Sequence, residues 1–364
     1  MPESTPEPIP HLSNQPIATP KPTIRADDPA VVNTIDTLIE QFGGDADSFN
    51  GRLVRELVQT SLKLIPDGRD SGELKLMSAA MKELRYGYWI FGKYAQSRKV
   101  TIFGSARTPE DHPDYLACVD FSRLMAEKGW MAITGAGLGI MKAGHVGPGK
   151  DASFGVAIRL PFETNANQVI AGDEKLIHFR YFFTRKLMFI SQAEAVALFP
   201  GGFGTMDEAY ETMTLVQTGK TTMVPIVMCE GAGGDYWHGF DHWVRKHLLE
   251  KKFVSPEDLS LYHIAKDPAD AAEHIMQFYR NYHSSRFVKD EFVIRLQKPL
   301  TDESLHTLNT EFAQLVKSGS IVQRGAYDAE VDSRELPRLS FNFIRNRFGV
   351  LRRFINRINE LPTA

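Results

Sequence analysis

A chain of 364 residues, 43% apolar and 24% charged, is long enough for one large globular domain with appendages, and too hydrophobic for a disordered protein. A formal net charge of −3 supplies no global attraction to nucleic acid or to anionic membranes, so no nucleic-acid partner is expected. Cys118 and Cys229 stand far apart with no CxxC spacing, which gives neither a disulfide framework nor a thiolate zinc site and fits a reducing, cytoplasmic compartment.

The first 27 residues read as a disordered tail, with proline recurring among Ser, Thr, Asn and Gln and no basic start followed by an apolar run. No stretch is apolar for long enough to span a membrane. From 28 to 97 the pattern is helical: Val32, Ile35, Leu38 and Ile39 share one face, and Leu53, Leu57, Leu62 and Leu64 recur at near-helical spacing. Gly43-Gly44 and Asp67-Gly68 divide this layer into two or three helices.

Between 98 and 285 strand and helix alternate. Strands are expected at 100–103, 131–134, 153–158, 195–199, 223–228 and 261–264, with helices at 109–128, 182–192, 206–217, 236–250 and 268–282. Several strands are almost wholly apolar, so the fold class is α/β: a Rossmann-like, doubly wound parallel sheet covered on both faces. The residues from 286 to 364 form a separate, small α/β appendage. It ends in a helix with Ile344, Phe348, Leu351, Ile355 and Ile358 on one face and Arg345, Arg347, Arg352, Arg353 and Arg357 elsewhere. Such a helix packs on the sheet domain or a second subunit, or else presents its basic face to a membrane or an acidic partner.

In an open parallel sheet ligands sit beyond the carboxyl ends of strands, where glycine lets backbone approach a phosphate. Three strand ends have that character: Gly104-Ser105, Gly135-Ala-Gly137-Leu-Gly139 followed by Ile140-Met141, and Pro200-Gly201-Gly202-Phe-Gly204-Thr205. The second is spaced GxGxG rather than GxGxxG and lacks an acidic residue to hold a ribose diol, which argues against NAD. Gly144 to Lys150 has the spacing of an ATPase phosphate loop, but Asp151 replaces the magnesium-binding Ser or Thr and no strand immediately precedes it. Each loop alone is equally well a tight turn.

The third loop carries more. Gly201, Gly202 and Gly204 leave amide groups clear, and Thr205 adds a hydroxyl where a helix begins, a seat for a phosphate. Glu208 would lie in the first helical turn, where the same field keeps it ionised. Thr205-Met-Asp-Glu208 also reads as a capping box, in which the two side chains satisfy each other's amide groups, and the sequence leaves both roles open. Arg185-Lys186, on the preceding helix, is either a solvated pair or, among Tyr181, Phe182, Phe183, Leu187, Met188 and Phe189, a half-buried pair that meets an anion. His238 and His242 lie one turn apart, but no HExxH or third ligand is near, and no metal is expected.

These loops resemble the LOG ("Lonely guy") family of cytokinin riboside 5′-monophosphate phosphoribohydrolases and the related bacterial nucleotide 5′-monophosphate nucleosidases. The likeness covers about 99–275 and rests on Gly104-Ser105, the loop at 135–141, Arg185-Lys186 with Met188, and the PGGxGTxxE motif from Pro200 to Glu208. It implies hydrolysis of an AMP-like or cytokinin-type nucleoside 5′-monophosphate to free base and ribose 5-phosphate, with no cofactor, in a homodimer or larger homo-oligomer. Arg185 and Glu208 fall on the family's catalytic pair. Gly104, Ser105, Gly135, Gly137, Gly139, Met141, Lys186, Gly201, Gly202, Gly204 and Thr205 would bind the nucleotide and its phosphate. Members have also been labelled lysine decarboxylases, but no pyridoxal-phosphate lysine signature is present. Asp207 stands where Glu is common, and the two extra regions are similar to those of longer bacterial nucleosidases. A nucleotide-sensing protein on the same scaffold is the alternative.

Overall fold

The structure, a computed structural model, describes residues 24–158, 166–328 and 330–364. Most of the expected N-terminal tail lies outside these residues. The chain divides into two compact units that part between Arg85 and Tyr86.

The first unit holds α1 (Pro29–Gln41), α2 (Phe49–Lys63) and most of α3 (Ser71–Gly92). Pro29 opens α1, where a missing N–H costs nothing. Ser48 caps α2 by accepting from the Gly51 amide at 2.9 Å. Arg55 on α2 pairs with Asp36 on α1.

The second unit is built on β1 (Lys99–Phe103), α4 (Pro113–Glu127), β2 (Met131–Thr134), α5 (Ile140–Val146), β3 (Ser153–Ile158), β4 (Leu176–Phe179), α6 (Phe182–Ser191), β5 (Ala195–Leu198), α7 (Phe203–Gln217), β6 (Ile226–Met228), α8 (Tyr236–Val244), β7 (Tyr262–Ile264) and α9 (Pro268–Phe278). The seven strands are parallel, in the order β4-β3-β2-β1-β5-β6-β7. β1, β2, β5 and β6 are buried along their whole length, which is why their sequences run apolar without alternation. The strand order reverses between β1 and β5, and a crevice opens at such a switch point beyond the strand ends.

A second, smaller α/β assembly follows from Tyr282 within the same compact unit. Its elements are β8 (Tyr282–Val288), β9 (Glu291–Leu296), α10 (Asp302–Glu311), β10 (Val322–Arg324), β11 (Arg338–Phe341) and α11 (Phe348–Glu360), and its sheet is antiparallel in the order β10-β11-β9-β8. The helix expected to run from 268 to 282 stops at Phe278, and Tyr282 enters a strand. β4 was not anticipated: it is four residues long, and one of its two outward positions, His178, is exposed. The strand expected from 223 begins only at Ile226.

α11 packs against α9, α7, β8 and the turn at 256–261. Phe348, Leu351, Ile355 and Ile358 are buried as the spacing predicts, but Ile344, Arg345 and Arg347 precede the helix, and Arg352 does not stay on the polar side. Its guanidinium lies inside, 4.6 Å over the Phe278 ring, and donates to His274 Nε2 at 2.9 Å. Burial first, then Arg352 and His263, push the His274 imidazole down to about 3, so it is the neutral acceptor this contact needs. The left-handed Gly219, just past α7, faces the Phe348 ring, and a Cβ there would sit 1.9 Å from it.

Candidate functional site

The loops after β1, β2 and β5 are tied to one another before they meet any ligand. The Ser105 amide donates to the Pro200 carbonyl at 3.1 Å, and the Ile140 amide to the Ser105 carbonyl at 3.0 Å. Glycine permits this closeness. A Cβ on Gly104 would lie 2.5 Å from Ile140, and one on Gly139, which is left-handed, 2.3 Å from the Ser105 carbonyl oxygen. Asn167 fastens the β2 loop, donating from Nδ2 to the carbonyls of Ala136 (3.1 Å) and Gly137 (3.0 Å). Between them they hold Ala136 at φ 64°, a left-handed conformation costly for a residue with a Cβ.

The glycines differ in what they make room for. Gly137 yields space to Met141, and Gly201 to the Thr205 hydroxyl. Gly135 yields space to Arg185 and Met141, whose Nη2 and Sδ would each lie 2.5 Å from an added Cβ. Gly202 and Gly204 face nothing within 4 Å. They open onto a cavity of about 860 Å³ whose walls include Gly104, Ser105, Arg107, Gly135, Met141, Arg185, Gly201, Gly202, Gly204, Thr205, Glu208 and Tyr236. That volume accommodates a small-molecule ligand.

α7 starts at Phe203 with Gly202 as its cap residue, and no side chain caps it. The capping box is therefore not formed: Thr205 lies inside the first turn, its amide donating to the Gly202 carbonyl at 3.1 Å, and Glu208 falls in the second turn. The first amides of α7 have no intrahelical acceptor and point out beside two open glycines, the arrangement that receives an anion.

Glu208 is 8% exposed, and its Oε2 is buried with no hydrogen-bond partner among the described residues. Burial, reinforced by Glu211 and Asp207 and opposed by Lys186 and Arg185, pushes the carboxyl up to about 7. A first-turn place with the carboxyl held ionised is thus not what the structure has: Glu208 sits in the second turn, and desolvation outweighs the two nearby cations. A carboxyl poised there exchanges a proton at neutral pH. Arg185 is fixed by donating from Nε to the Val156 carbonyl at 2.8 Å and stands 5.1 Å from the Phe189 ring.

Lys186 is turned elsewhere. Its Nζ bridges Asp207 (2.7 Å) and Glu211 (2.8 Å), and it does not line the cavity; nor do Gly137 and Gly139. Tyr236 was not singled out by the sequence. It lines the cavity, and its hydroxyl donates to the Gly201 carbonyl at 2.7 Å. Its place, at the helix start that follows β6, is the signal that could have found it. No group of three or more metal-ligating side chains occurs among the described residues, and none of their helices is long and apolar enough to cross a membrane.

Residues 128–275 match the family model described as possible lysine decarboxylase, and over that segment the resemblance to the LOG family stands. No curated protein matches the chain. Among solved structures the chain is similar to the structural-genomics protein TM1055, at 19% identity over 50% of this chain and 99% of that one with a TM-score of 0.36. It is also similar to the molybdenum cofactor carrier protein of Chlamydomonas reinhardtii (17%, 50% and 97%, 0.36) and to the DNA processing protein A of Helicobacter pylori (13%, 51% and 83%, 0.35). Scores this low say nothing of function.

Proposed function

We propose that the cavity hydrolyses the N-glycosidic bond of a nucleoside 5′-monophosphate, releasing the free base and ribose 5-phosphate. The observation that carries this reading is the pairing of two unsatisfied groups in one cavity: the glycine-opened start of α7, suited to a phosphate, and the buried Glu208 carboxyl, suited to chemistry on the attached sugar.

As the bond from C1′ to the base breaks, positive charge builds on the ribose ring, and an ionised Glu208 stabilises it. Water adds its oxygen to C1′ and gives a proton to Glu208, and the base leaves with the bonding pair and takes up a proton from solvent, to which Glu208 releases its own. Arg185, held by Val156, binds phosphate or sugar hydroxyls and keeps Glu208 from drifting. Gly202, Gly204 and Thr205 seat the phosphate. Gly104, Ser105 and Met141 line the nucleotide, and Gly135 serves by leaving room for Arg185. The test is incubation of the purified protein with AMP, GMP, CMP, UMP and IMP, scoring free base and ribose 5-phosphate. Release from at least one is expected. Binding without release from any would leave a nucleotide sensor on this scaffold.

A further inference from the structure

The sequence casts Lys186 as a phosphate ligand, but its surroundings give it different work. Its ammonium reaches from α6 to α7 and holds two carboxylates, Asp207 at 2.7 Å and Glu211 at 2.8 Å, with 19% of its side chain exposed. On α7 these acids stand one residue before and three residues after Glu208, so the clasp closes over the turn that carries the candidate catalytic carboxyl. Burial opposes the charge on Lys186, but the two acids outweigh it and raise the ammonium to about 12, so it stays a cation through the working range of pH.

Every charged or titratable group facing Glu208 enters the balance. Lys186 and Arg185 from α6 favour its anion, Glu211 and Asp207 from its own helix oppose it, and Arg107 from the loop after β1 and Tyr236 from α8 line the same cavity. Arg185 is anchored by the Val156 carbonyl and lies 5.1 Å from the Phe189 ring, and it contributes less than Lys186 to the Glu208 anion. Without Lys186, Asp207 and Glu211 would act on Glu208 with Arg185 alone to oppose them, in a place where burial already opposes ionisation.

We propose that Lys186 is a positioning residue for the reaction: by clasping Asp207 and Glu211 it fixes the α7 turn that aims Glu208 into the cavity and lets Glu208 exist as the anion. The role rests on the hydrolase reading for its biological meaning, but the electrostatic claim stands apart from turnover.

The test pairs two measurements on Lys186→Met, Lys186→Arg and the parent protein. In pH profiles of kcat, Lys186→Met moves the acid limb upward by about one unit or more, the shift a nearby cation usually causes, so activity at pH 6 falls roughly tenfold further than at pH 9. KM changes little, and Lys186→Arg recovers most of the loss because a guanidinium spans both acids. A phosphate ligand would behave in the opposite way: KM would rise about tenfold or more with the acid limb in place, and that result overturns the proposal.

The second measurement needs no substrate. Infrared titration of the carboxyl that disappears in Glu208→Gln gives the Glu208 midpoint directly, and it rises in Lys186→Met. Equal midpoints with and without Lys186 overturn the proposal whatever reaction the cavity performs. If no nucleotide is hydrolysed but the midpoint moves, the hydrolase reading fails and the clasp survives. Should Lys186→Met not fold, the double change Asp207→Asn with Glu211→Gln frees the ammonium to face Glu208. The midpoint then falls, and a midpoint that stays put overturns the clasp.

Discussion

Two glutamates in this molecule have little exposed surface and end in opposite states. Glu330, in the appendage, is 1% exposed and accepts from Arg295 at 2.8 Å, Arg338 at 3.1 Å and the Tyr327 amide at 3.1 Å. Burial works against its charge, but the Tyr327 amide and the two guanidinium groups outweigh it and bring the carboxyl down to about 2. Glu208, 8% exposed, has an oxygen with no partner among the described residues and is driven up to about 7. Burial alone therefore does not tell structure from chemistry; the partner count does. A carboxylate completely satisfied by its own chain has nothing left for a substrate, whereas one left short keeps a capacity that folding did not use.

The largest test of this contrast is Glu208→Gln, which keeps shape and removes charge. Turnover is expected to fall by about 10³-fold, the scale seen when one key electrostatic group of an active site is lost, with secondary structure by circular dichroism unchanged. Residual activity near that of the parent would erase the distinction between the two sites. Glu330→Gln is expected to cost about 3–5 kcal/mol in urea unfolding, because Arg338 loses its counter-charge in the interior while Arg295 retains Asp332. Its catalytic constants, measured on the folded fraction, should hardly move.

The pH dependence of stability sharpens the comparison, because the two acids act with opposite sign. Glu208 is raised, so its contribution is complete below the ordinary value of 4.5 and is lost as pH rises through about 7. Glu208→Gln should therefore be more stable than the parent at pH 8, by up to about 3 kcal/mol, and no different at pH 4. Glu330 is lowered, so its contribution is present above 4.5 and is lost as pH falls towards about 2. Acid unfolding curves of parent and Glu330→Gln should converge at low pH. Gly135→Ala gives the smallest expected effect. The new methyl pushes Arg185 and Met141 aside, which should lower kcat by about 10²-fold, the scale of an ångström-sized misplacement, with little change in melting temperature. Unchanged kcat would detach Arg185 from Glu208.

The sheet was legible because β1, β2, β5 and β6 are buried from end to end and their sequences say so, and the glycine runs marked their carboxyl ends. β4 and β8 escaped notice since both are partly exposed and carry polar residues such as His178 and Ser284, so their apolar pattern is broken. At the site, the sequence brought Arg185, Glu208 and the three loops into one place, and they do line one cavity. What it could not resolve was direction. Nothing in the letters Arg185-Lys186 says that one side chain turns to the cavity and the other to Asp207, nor that α7 begins three residues too early for Thr205 to cap it. Those outcomes depend on helix rotation and on neighbours far away in the chain. The same holds for Arg352, which its spacing placed among solvent-facing arginines and which the interior holds against His274.

The ties among the loops after β1, β2 and β5 also bear on how such a pocket changes over generations. Because the Ser105 amide and carbonyl are committed to Pro200 and Ile140, and Gly139 abuts the Ser105 carbonyl, no one of the three loops can be exchanged alone without disturbing the other two. They would be inherited, and would have to be redesigned, as a single piece. New specificities in this scaffold should then arise first at the cavity's side-chain walls, such as Phe182 and Ile158, which carry no part of that mutual fastening.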